Sequence, residues 1–240
     1  MAIDINCDMG ESFSIYRCGD DEKIMPYVTR ANVACGFHAS DPTVMRKTVQ
    51  LAKFRDVRVG AHPSYPDLQG FGRRYMKMGR EELTDALLYQ VGALKAFLDA
   101  EDVPLAHLKP HGALYGAACR EEEVAAAVAD AARAFGVPVL GMSGTLHETV
   151  YPACGVEVIF ELYVDLDYDD SGHLIITREH EPVNPAQAAD RARRALRDGV
   201  VDSIHGKELP IKVDSICVHS DTPDAIAIAV AVRALDTLAA

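Results

Sequence analysis

Ionisable side chains recur at one kind of position in this chain, at or just after the end of a short apolar run. Carboxylate, imidazole and ammonium groups are the side chains that enzymes use for proton transfer and for binding anions. Longer helical stretches separate the apolar runs, so these groups can meet only through the fold. The candidates are Asp8, Glu11, His38, Asp41, His62, Tyr65, Lys109, His111, Tyr115, His219 and Asp221.

Lys109 and two nearby arginines predict that the site binds an anion. Lys109 is expected inside the rim of the fold, where a lysine is rarely placed unless it is paired or binds an anion. Arg73 and Arg74 lie in a glycine-containing loop shortly after His62, and two arginines near a site suggest capture of a carboxylate or phosphate. A solvated surface pair is the alternative for these arginines.

Three of the candidates also predict a metal site. Asp8, His38 and His62 could together hold one divalent metal ion in an Asp/His/His arrangement. Cys35 and His38 have metal-ligand spacing, but one such pair cannot hold a structural zinc ion. Asp41 comes directly before a proline, so a helix N-cap is its alternative role.

Seven β-type runs alternate with the helical stretches. This alternation predicts parallel strands with right-handed crossovers, and seven such strands suit an α/β fold of the (β/α) barrel type, seven-stranded or distorted. A doubly wound open sheet is the alternative. In a barrel the carboxyl ends of all strands meet on one face, where such enzymes place their active sites. The predicted strands are 3–6, 31–34, 57–60, 105–108, 137–140, 156–161 and 215–218, and the predicted helices are 41–54, 80–100, 121–135, 185–197 and 223–239.

The helix-start signals and the lack of linker segments indicate a single domain. Three helices are expected to begin with a capping residue followed by proline, at Asp41, Asn184 and Thr222. Residues 167–184 form a polar excursion in which 174–177 is predicted as one strand of a hairpin. No linker-like or low-complexity segment divides the sequence, so residues 1–240 are expected to form one catalytic domain.

The composition is that of an acidic globular protein. Its 24 basic and 36 acidic residues give a net charge of −12, which argues against binding to nucleic acid or to an anionic membrane. The longest apolar run is far short of the roughly 18 residues that a membrane span needs, and no leader pattern is visible at the N-terminus. Six scattered cysteines predict reduced thiols and a cytoplasmic location.

Six segments of the sequence, in the same order, resemble the LamB/YcsF family over nearly the full length of the chain. One of them reads Lys109-Pro-His-Gly-Ala-Leu-Tyr115, and another carries Asp8, Gly10 and Glu11 after the first predicted strand. The segments are 4–13, 31–39, 60–63, 67–74, 109–115 and 216–219.

This resemblance implies a (β/α) barrel related to the glycoside hydrolase and deacetylase superfamily. The implied activity is that of one subunit of an ATP-dependent 5-oxoprolinase, which opens the lactam of 5-oxo-L-proline to L-glutamate. The implied partners are two further subunits that resemble the halves of an allophanate hydrolase, and the implied co-substrate is ATP with Mg²⁺. The sequence contains no Gly-x-x-x-x-Gly-Lys loop, so ATP would bind through other loops or through a partner.

The resemblance also implies roles for the candidates. Lys109 would stabilise negative charge on the lactam oxygen or on a phosphoryl group, and Arg73 or Arg74 would hold the substrate carboxylate. General acid–base chemistry on water and on the leaving amine would fall to Asp8, His62 or His111. The substrate-binding candidates are Glu11, His38, Asp41, Tyr65, Arg73, Arg74, Tyr115, His219 and Asp221.

Four positions depart from the family pattern. Ser40, Ser64 and Ser220 stand where glycine is usual, and Leu166 stands where arginine is usual. Another lactam, a cyclic imide or a small amide is therefore an alternative substrate. A metal-dependent amidohydrolase or deacetylase that works without ATP is an alternative activity, and a non-catalytic binding subunit is another. A homo-oligomer is a further alternative for the assembly.

Overall fold

Seven parallel strands form a closed barrel in the computed structural model, which describes residues 3–177 and 181–238. The last barrel strand in the chain pairs with both the first and the sixth and so closes the cylinder. The seven-stranded (β/α) barrel predicted from the sequence is therefore confirmed. The barrel strands are β1 (Ile5–Met9), β2 (Arg30–Ala34), β3 (Arg58–His62), β4 (Leu105–Leu108), β5 (Val139–Gly141), β6 (Val158–Tyr163) and β9 (Ser215–His219), and β7 (Val200–Asp202) pairs with β8 (Glu208–Pro210) in a separate antiparallel ribbon.

Helices follow the strands and cover the barrel. The helices predicted at 41–54, 80–100, 121–135 and 185–197 agree with the structure within a residue at each end, because their apolar periodicity extends over at least three turns. The ribbon of β7 and β8, the short first helix, and the helices at 112–118 and 146–153 were not predicted. The helices are α1 (Asp21–Ile24), α2 (Pro42–Phe54), α3 (Arg80–Ala100), α4 (Gly112–Ala118), α5 (Glu122–Phe135), α6 (Leu146–Ala153), α7 (Pro185–Asp198) and α8 (Ala225–Arg233).

Two of the three predicted caps are confirmed. Asp41 accepts hydrogen bonds from the amides of the first turn of α2, and Asn184 does the same for α7. The prediction at Thr222 was wrong. α8 begins at Ala225, preceded by Asp224 in the left-handed conformation, and the hydroxyl of Thr222 instead donates to Asp165 at 3.4 Å.

The strand predicted at 174–177 was also wrong, because that segment contributes only one antiparallel bridge, between Tyr168 and Leu174. Residues 178–180 of the predicted excursion, and Ala239 at the end of the last predicted helix, lie outside the described residues. Among the described residues, none of the helices has the length and apolar character needed to cross a membrane.

Polar side chains fill the interior of the barrel below the carboxyl ends of its strands. The amide of Asn32 donates to Asn6 at 2.9 Å and to Asp8 at 2.8 Å, and His107 contacts its carbonyl oxygen at 2.7 Å. Gly60 on β3 makes room for His107, since a Cβ there would lie 2.1 Å from its Nε2. These contacts satisfy most of the buried polar atoms, as burial requires, while Nδ1 of His107 has no hydrogen-bond partner among the described residues.

Candidate active site

A cavity opens to solvent at the carboxyl ends of the strands. It is the position expected for the site of a (β/α) barrel. Three site residues that were predicted to follow strands lie within them, because the strands end later than predicted. They are Asp8 in β1, His62 in β3 and His219 in β9. The cavity is lined by Asp8, His62, Arg73, Lys109, Pro110, His111, Gly112, Tyr115, Tyr163, Leu166, Leu174, Ile176 and His219.

Lys109 places a buried ammonium group at the floor of this cavity. Its Nζ lies 3.2 Å from Asp8 Oδ1 and 3.1 Å from Glu161 Oε2. It also lies 3.1 Å from Asn6 Oδ1 and 3.0 Å from the Sγ of Cys217. Burial lowers the pKa of an ammonium, but the neighbouring carboxylates Asp8 and Glu161 outweigh it and raise the pKa of Lys109 well above its usual range. Lys109 is therefore a fixed positive charge.

Asp8 faces both Lys109 and two histidines. Its Oδ2 lies 3.2 Å from His62 Nε2 and 3.6 Å from His219 Nε2. Burial raises the pKa of a carboxyl, but His62 and Lys109 hold the pKa of Asp8 well below its usual range. Asp8 is thus an ionised carboxylate able to accept a proton from a substrate or to orient one of the imidazoles.

His219, which also lines the cavity, is held by the buried carboxylate of Asp165. Asp165 accepts from the backbone amide of His219 at 2.7 Å and contacts its Nδ1 at 3.0 Å. Burial would lower the pKa of His219, but Cys217 and Asp165 raise it well above the usual range. A protonated His219 can donate a proton or a hydrogen bond to a group in the cavity.

Four side chains converge beside the cavity, one from the end of each of the first four strands. Their ligand atoms all lie within 4.8 Å of one another. Burial lowers the pKa values of His38 and His111 far below the usual range, and burial together with Asp221 raises the pKa of Glu11. The cluster, called the Glu/His cluster below, consists of Glu11, His38, His62 and His111.

The two neighbouring arginines have different surroundings. Arg73 lines the cavity, where its guanidinium donates to Asp221 at 2.7 Å and lies over the ring of Phe71. The side chain of Arg74 is 62% exposed and pairs with Asp67 outside the cavity. Of the two arginines, it is thus Arg73 that can meet a small anionic substrate.

The other predicted site residues divide into three groups: one lines the cavity, three lie behind its wall and two lie away from it. Tyr115 lines the cavity, while Glu11, His38 and Asp221 stand behind its wall, in contact with lining residues. Asp41 caps α2 and accepts from the amide of Ser14 at 2.7 Å. Tyr65 is buried against Tyr75 and does not line the cavity.

The departures from the family pattern are accommodated locally. Ser40 has a φ of +77°, in the left-handed region that glycine adopts most easily. A Cβ atom added to Gly72 would lie only 2.3 Å from the hydroxyl oxygen of Ser64. A Cβ atom added to Gly19 would lie only 2.5 Å from the hydroxyl oxygen of Ser220. Each of these two serines therefore faces a glycine that leaves it room. Leu166 lines the cavity, so an apolar side chain stands there in place of a cation.

Some functional residues escaped the sequence analysis. Glu161 ends a predicted strand, and a carboxylate in an apolar run is a signal that could have identified it. Phe71 contributes its backbone carbonyl, which accepts from His111 at 2.8 Å, and backbone groups leave no signal in side-chain patterns.

The fold and the site together define a class, that of seven-stranded (β/α) barrel proteins with a polar, strand-end active site. A model of the LamB/YcsF family matches residues 3–238, and the chain belongs to that family.

Three relatives show how close the similarity is. The chain is 47% identical to "Lactam utilization protein lamB" of Emericella nidulans, over 93% of this chain and 90% of that protein. It is 45% identical to the 5-oxoprolinase A-subunit of Thermococcus sibiricus, over 97% of this chain and 93% of that protein. The crystal structure of a lactam utilization protein from Thermus thermophilus superimposes with a TM-score of 0.91 at 42% identity, over 100% of this chain and 97% of that one.

Proposed function

We propose that this chain is the lactam-opening subunit of an ATP-dependent 5-oxoprolinase, which converts 5-oxo-L-proline to L-glutamate together with two partner subunits. The observation that carries the proposal is a cavity with two separate cations, Lys109 at its floor and Arg73 on its wall. The names of the relatives, which refer to lactam utilization and to 5-oxoprolinase, point to the same substrate.

The two cations match the two oxygen-bearing groups of 5-oxoproline. Arg73 offers a planar guanidinium to the carboxylate, which is the geometry that favours two parallel hydrogen bonds. Lys109 offers a fixed positive charge to the lactam oxygen, whose negative charge grows as the carbonyl is attacked. An amide in a five-membered ring is a poor electrophile, so this oxygen must be activated before water can attack.

Activation by ATP gives a balanced sequence. The γ-phosphoryl group moves to the lactam oxygen and ADP leaves, and water then adds to the carbonyl carbon. Loss of phosphate at this point would regenerate the lactam, so the C–N bond must break first and its nitrogen must take up a proton. The resulting acyl phosphate reacts with a second water to give the carboxylate of glutamate and inorganic phosphate.

The histidines and Asp8 supply the proton transfers of this sequence. Asp8 is ionised and lies beside His62, so the pair can take a proton from the attacking water. His219 is the proton donor, since Asp165 keeps it protonated and it lines the same cavity. The phosphoryl donor is ATP with Mg²⁺, bound within the assembled complex.

The test is release of ADP that depends on 5-oxoproline, measured for this chain alone and mixed with its two partner subunits. Turnover only in the mixture supports the proposal. Asp8→Ala and Lys109→Ala should then abolish it. If both variants stay within a few-fold of the parent, the chain only presents substrate to its partners, and the proposed role in catalysis is wrong.

The Glu/His cluster favours a second function, a metal-dependent amidohydrolase that needs no ATP. Three imidazoles and a carboxylate within 4.8 Å are donors that divalent transition metals accept. This function predicts lactam or amide hydrolysis by the isolated chain, loss of activity on chelation and recovery with metal. Hydrolysis that persists in metal-free protein would exclude it.

A further inference from the structure

Backbone carbonyls determine where the protons lie on two histidines of the Glu/His cluster. His62 Nδ1 lies 2.8 Å from the carbonyl oxygen of Lys109, and His111 Nε2 lies 2.8 Å from that of Phe71. A carbonyl oxygen only accepts hydrogen bonds, so both of these ring nitrogens carry a hydrogen. When such an imidazole is neutral, its other ring nitrogen has a lone pair and can bind a metal ion.

The other nitrogens of the two rings face each other. His62 Nε2 and His111 Nδ1 are 3.0 Å apart, and when both rings are neutral their lone pairs repel unless a cation lies near both. Glu11 Oε1 adds a third acceptor 3.5 Å from His111 Nδ1, and it also lies 3.3 Å from His38 Nε2. One extra proton between the histidines would satisfy His62 and His111, whereas one cation could bind both of them together with Glu11 and His38.

The separations suit a metal ion. Nitrogen and oxygen ligands about 2.1 Å from a tetrahedral zinc ion lie about 3.4 Å from one another. Three of the separations between ligand atoms in the cluster measure 3.0, 3.3 and 3.5 Å, and all of them are within 4.8 Å. Histidine ligands of metals commonly donate their second ring N–H to a backbone carbonyl, which is the arrangement of His62 and His111 here.

We propose that Glu11, His38, His62 and His111 form a binding site for one divalent transition-metal ion of the zinc type. The ligand set differs from the Asp/His/His set expected from the sequence. Asp8 lies beside this cluster, because its Oδ1 accepts from Asn32 at 2.8 Å and pairs with Lys109 at 3.2 Å, while its Oδ2 lies 3.2 Å from His62 Nε2. Since His62 and His111 also line the cavity, a bound ion would lie at its wall.

Direct binding tests this site without lactam, ATP or partner subunits, so its outcome is independent of the proposed function. Chelator-treated full-length protein is titrated with Co²⁺, followed by visible absorption, and with Zn²⁺, followed by calorimetry. We expect one equivalent of either ion to bind, with the absorption bands of nitrogen and oxygen ligation, and a rise in the midpoint of thermal unfolding.

Variants assign the ligands. Glu11→Gln and His38→Gln should each weaken Zn²⁺ binding at least tenfold, while His147→Gln, a buried histidine outside the cluster, should leave it unchanged. The thermal shift of the parent keeps the test valid if a variant folds poorly. The proposal is overturned if the parent binds less than one equivalent, or if the cluster variants bind like the control. In that case ¹⁵N shifts of His62 should show hydrogens on both ring nitrogens.

Discussion

Lys109 shows how a single residue sets the charge balance of the cavity. An ammonium group in the centre of a protein needs opposite charges close by, and Asp8 and Glu161 provide two. The two carboxylates come from different strands of the barrel, β1 and β6. Lys109 therefore has two functions, since it neutralises the interior and presents a positive charge to the cavity.

Replacing this lysine should separate the two functions. Lys109→Met leaves two carboxylates without their partner, and we expect a loss of about 3–5 kcal/mol in the free energy of unfolding together with loss of turnover. Adding Glu161→Gln removes one of the two buried carboxylates left unpaired and should restore part of the stability but none of the turnover. Urea unfolding and ADP release measure the two effects. Recovery of turnover in the double variant would show that Lys109 serves stability alone.

Arg73 and Arg74 provide a matched pair of neighbouring residues. A charge-assisted hydrogen bond contributes about 1.5–3 kcal/mol, so Arg73→Ala should raise the KM for 5-oxoproline by about 10- to 100-fold. Arg74→Ala should change KM less than twofold, because Arg74 pairs with Asp67 outside the cavity. Steady-state kinetics of the assembled enzyme measure both values, and equal effects of the two substitutions would contradict this assignment of the carboxylate.

At the scale of elements, the first three strands are connected by charges at their amino ends. Asp4 lies just before β1, and its carboxylate accepts from Thr29 and from Arg30 of β2, both at 2.6 Å, and pairs with Arg58 of β3. This network holds the barrel at the face opposite the cavity, where interactions affect stability rather than catalysis.

Acid should weaken this network. Burial raises the pKa of Asp4, but Thr29, Arg30 and Arg58 outweigh it and lower the pKa below 3.8. The stabilisation is thus fully present above the unfolded pKa of about 3.8 and is lost as pH falls through the lower folded value. Asp4→Asn should cost about 2 kcal/mol at pH 7, and the difference from the parent should shrink below about pH 4.

An exposed ion pair is the control for this prediction. Asp99 pairs with Lys95 one turn earlier on α3, with its side chain 62% exposed, and such pairs contribute at most about 0.5 kcal/mol. Chemical unfolding from strongly acidic to neutral pH measures both Asp4→Asn and Asp99→Asn. A loss for Asp4→Asn that does not change with pH would show that the carboxylate is not the stabilising group.

The elements also show what could be predicted from the sequence. Long amphipathic helices and strand ends are local patterns, so α3, α2 and the positions of Lys109 and His62 were predictable. The pairing of Lys109 with Glu161 joins residues far apart in the chain, and only closure of the barrel brings them together. The α4 helix was missed because Gly112 at its start is a residue that disfavours helix.

At the scale of the molecule, one loop on the cavity face presents apolar side chains to solvent. Phe13 and Tyr16 pair through their backbones at 2.9 and 3.0 Å, and Asp41 accepts from the amide of Ser14. The loop is therefore held in shape, yet Ile15 is 81% and Tyr16 71% exposed. Rigid, exposed apolar residues are typical of surfaces that contact other proteins.

This loop is expected to contact one of the partner subunits. Ile15→Glu should lower the affinity for the partners at least tenfold and leave the unfolding midpoint of the isolated chain unchanged. Phe54→Glu is the control, because Phe54 is 78% exposed but lies at the end of α2 that points away from the cavity. Sedimentation or light scattering of the mixed subunits measures assembly. Equal effects of both substitutions would place the interface elsewhere.

The loop over the cavity has a consequence for how substrate enters. The backbone of Phe71 holds a hydrogen of His111, the oxygen of Gly72 accepts from the amide of Ala113 at 3.0 Å, and Arg73 pairs with Asp221. If a substrate carboxylate replaces Asp221 as the partner of Arg73, the arriving molecule itself releases one of these attachments. A movement of the loop that shifts the Phe71 carbonyl would also remove the acceptor that fixes the hydrogen on His111 Nε2. Entry of the substrate and the orientation of the His111 ring would then be coupled through this one loop.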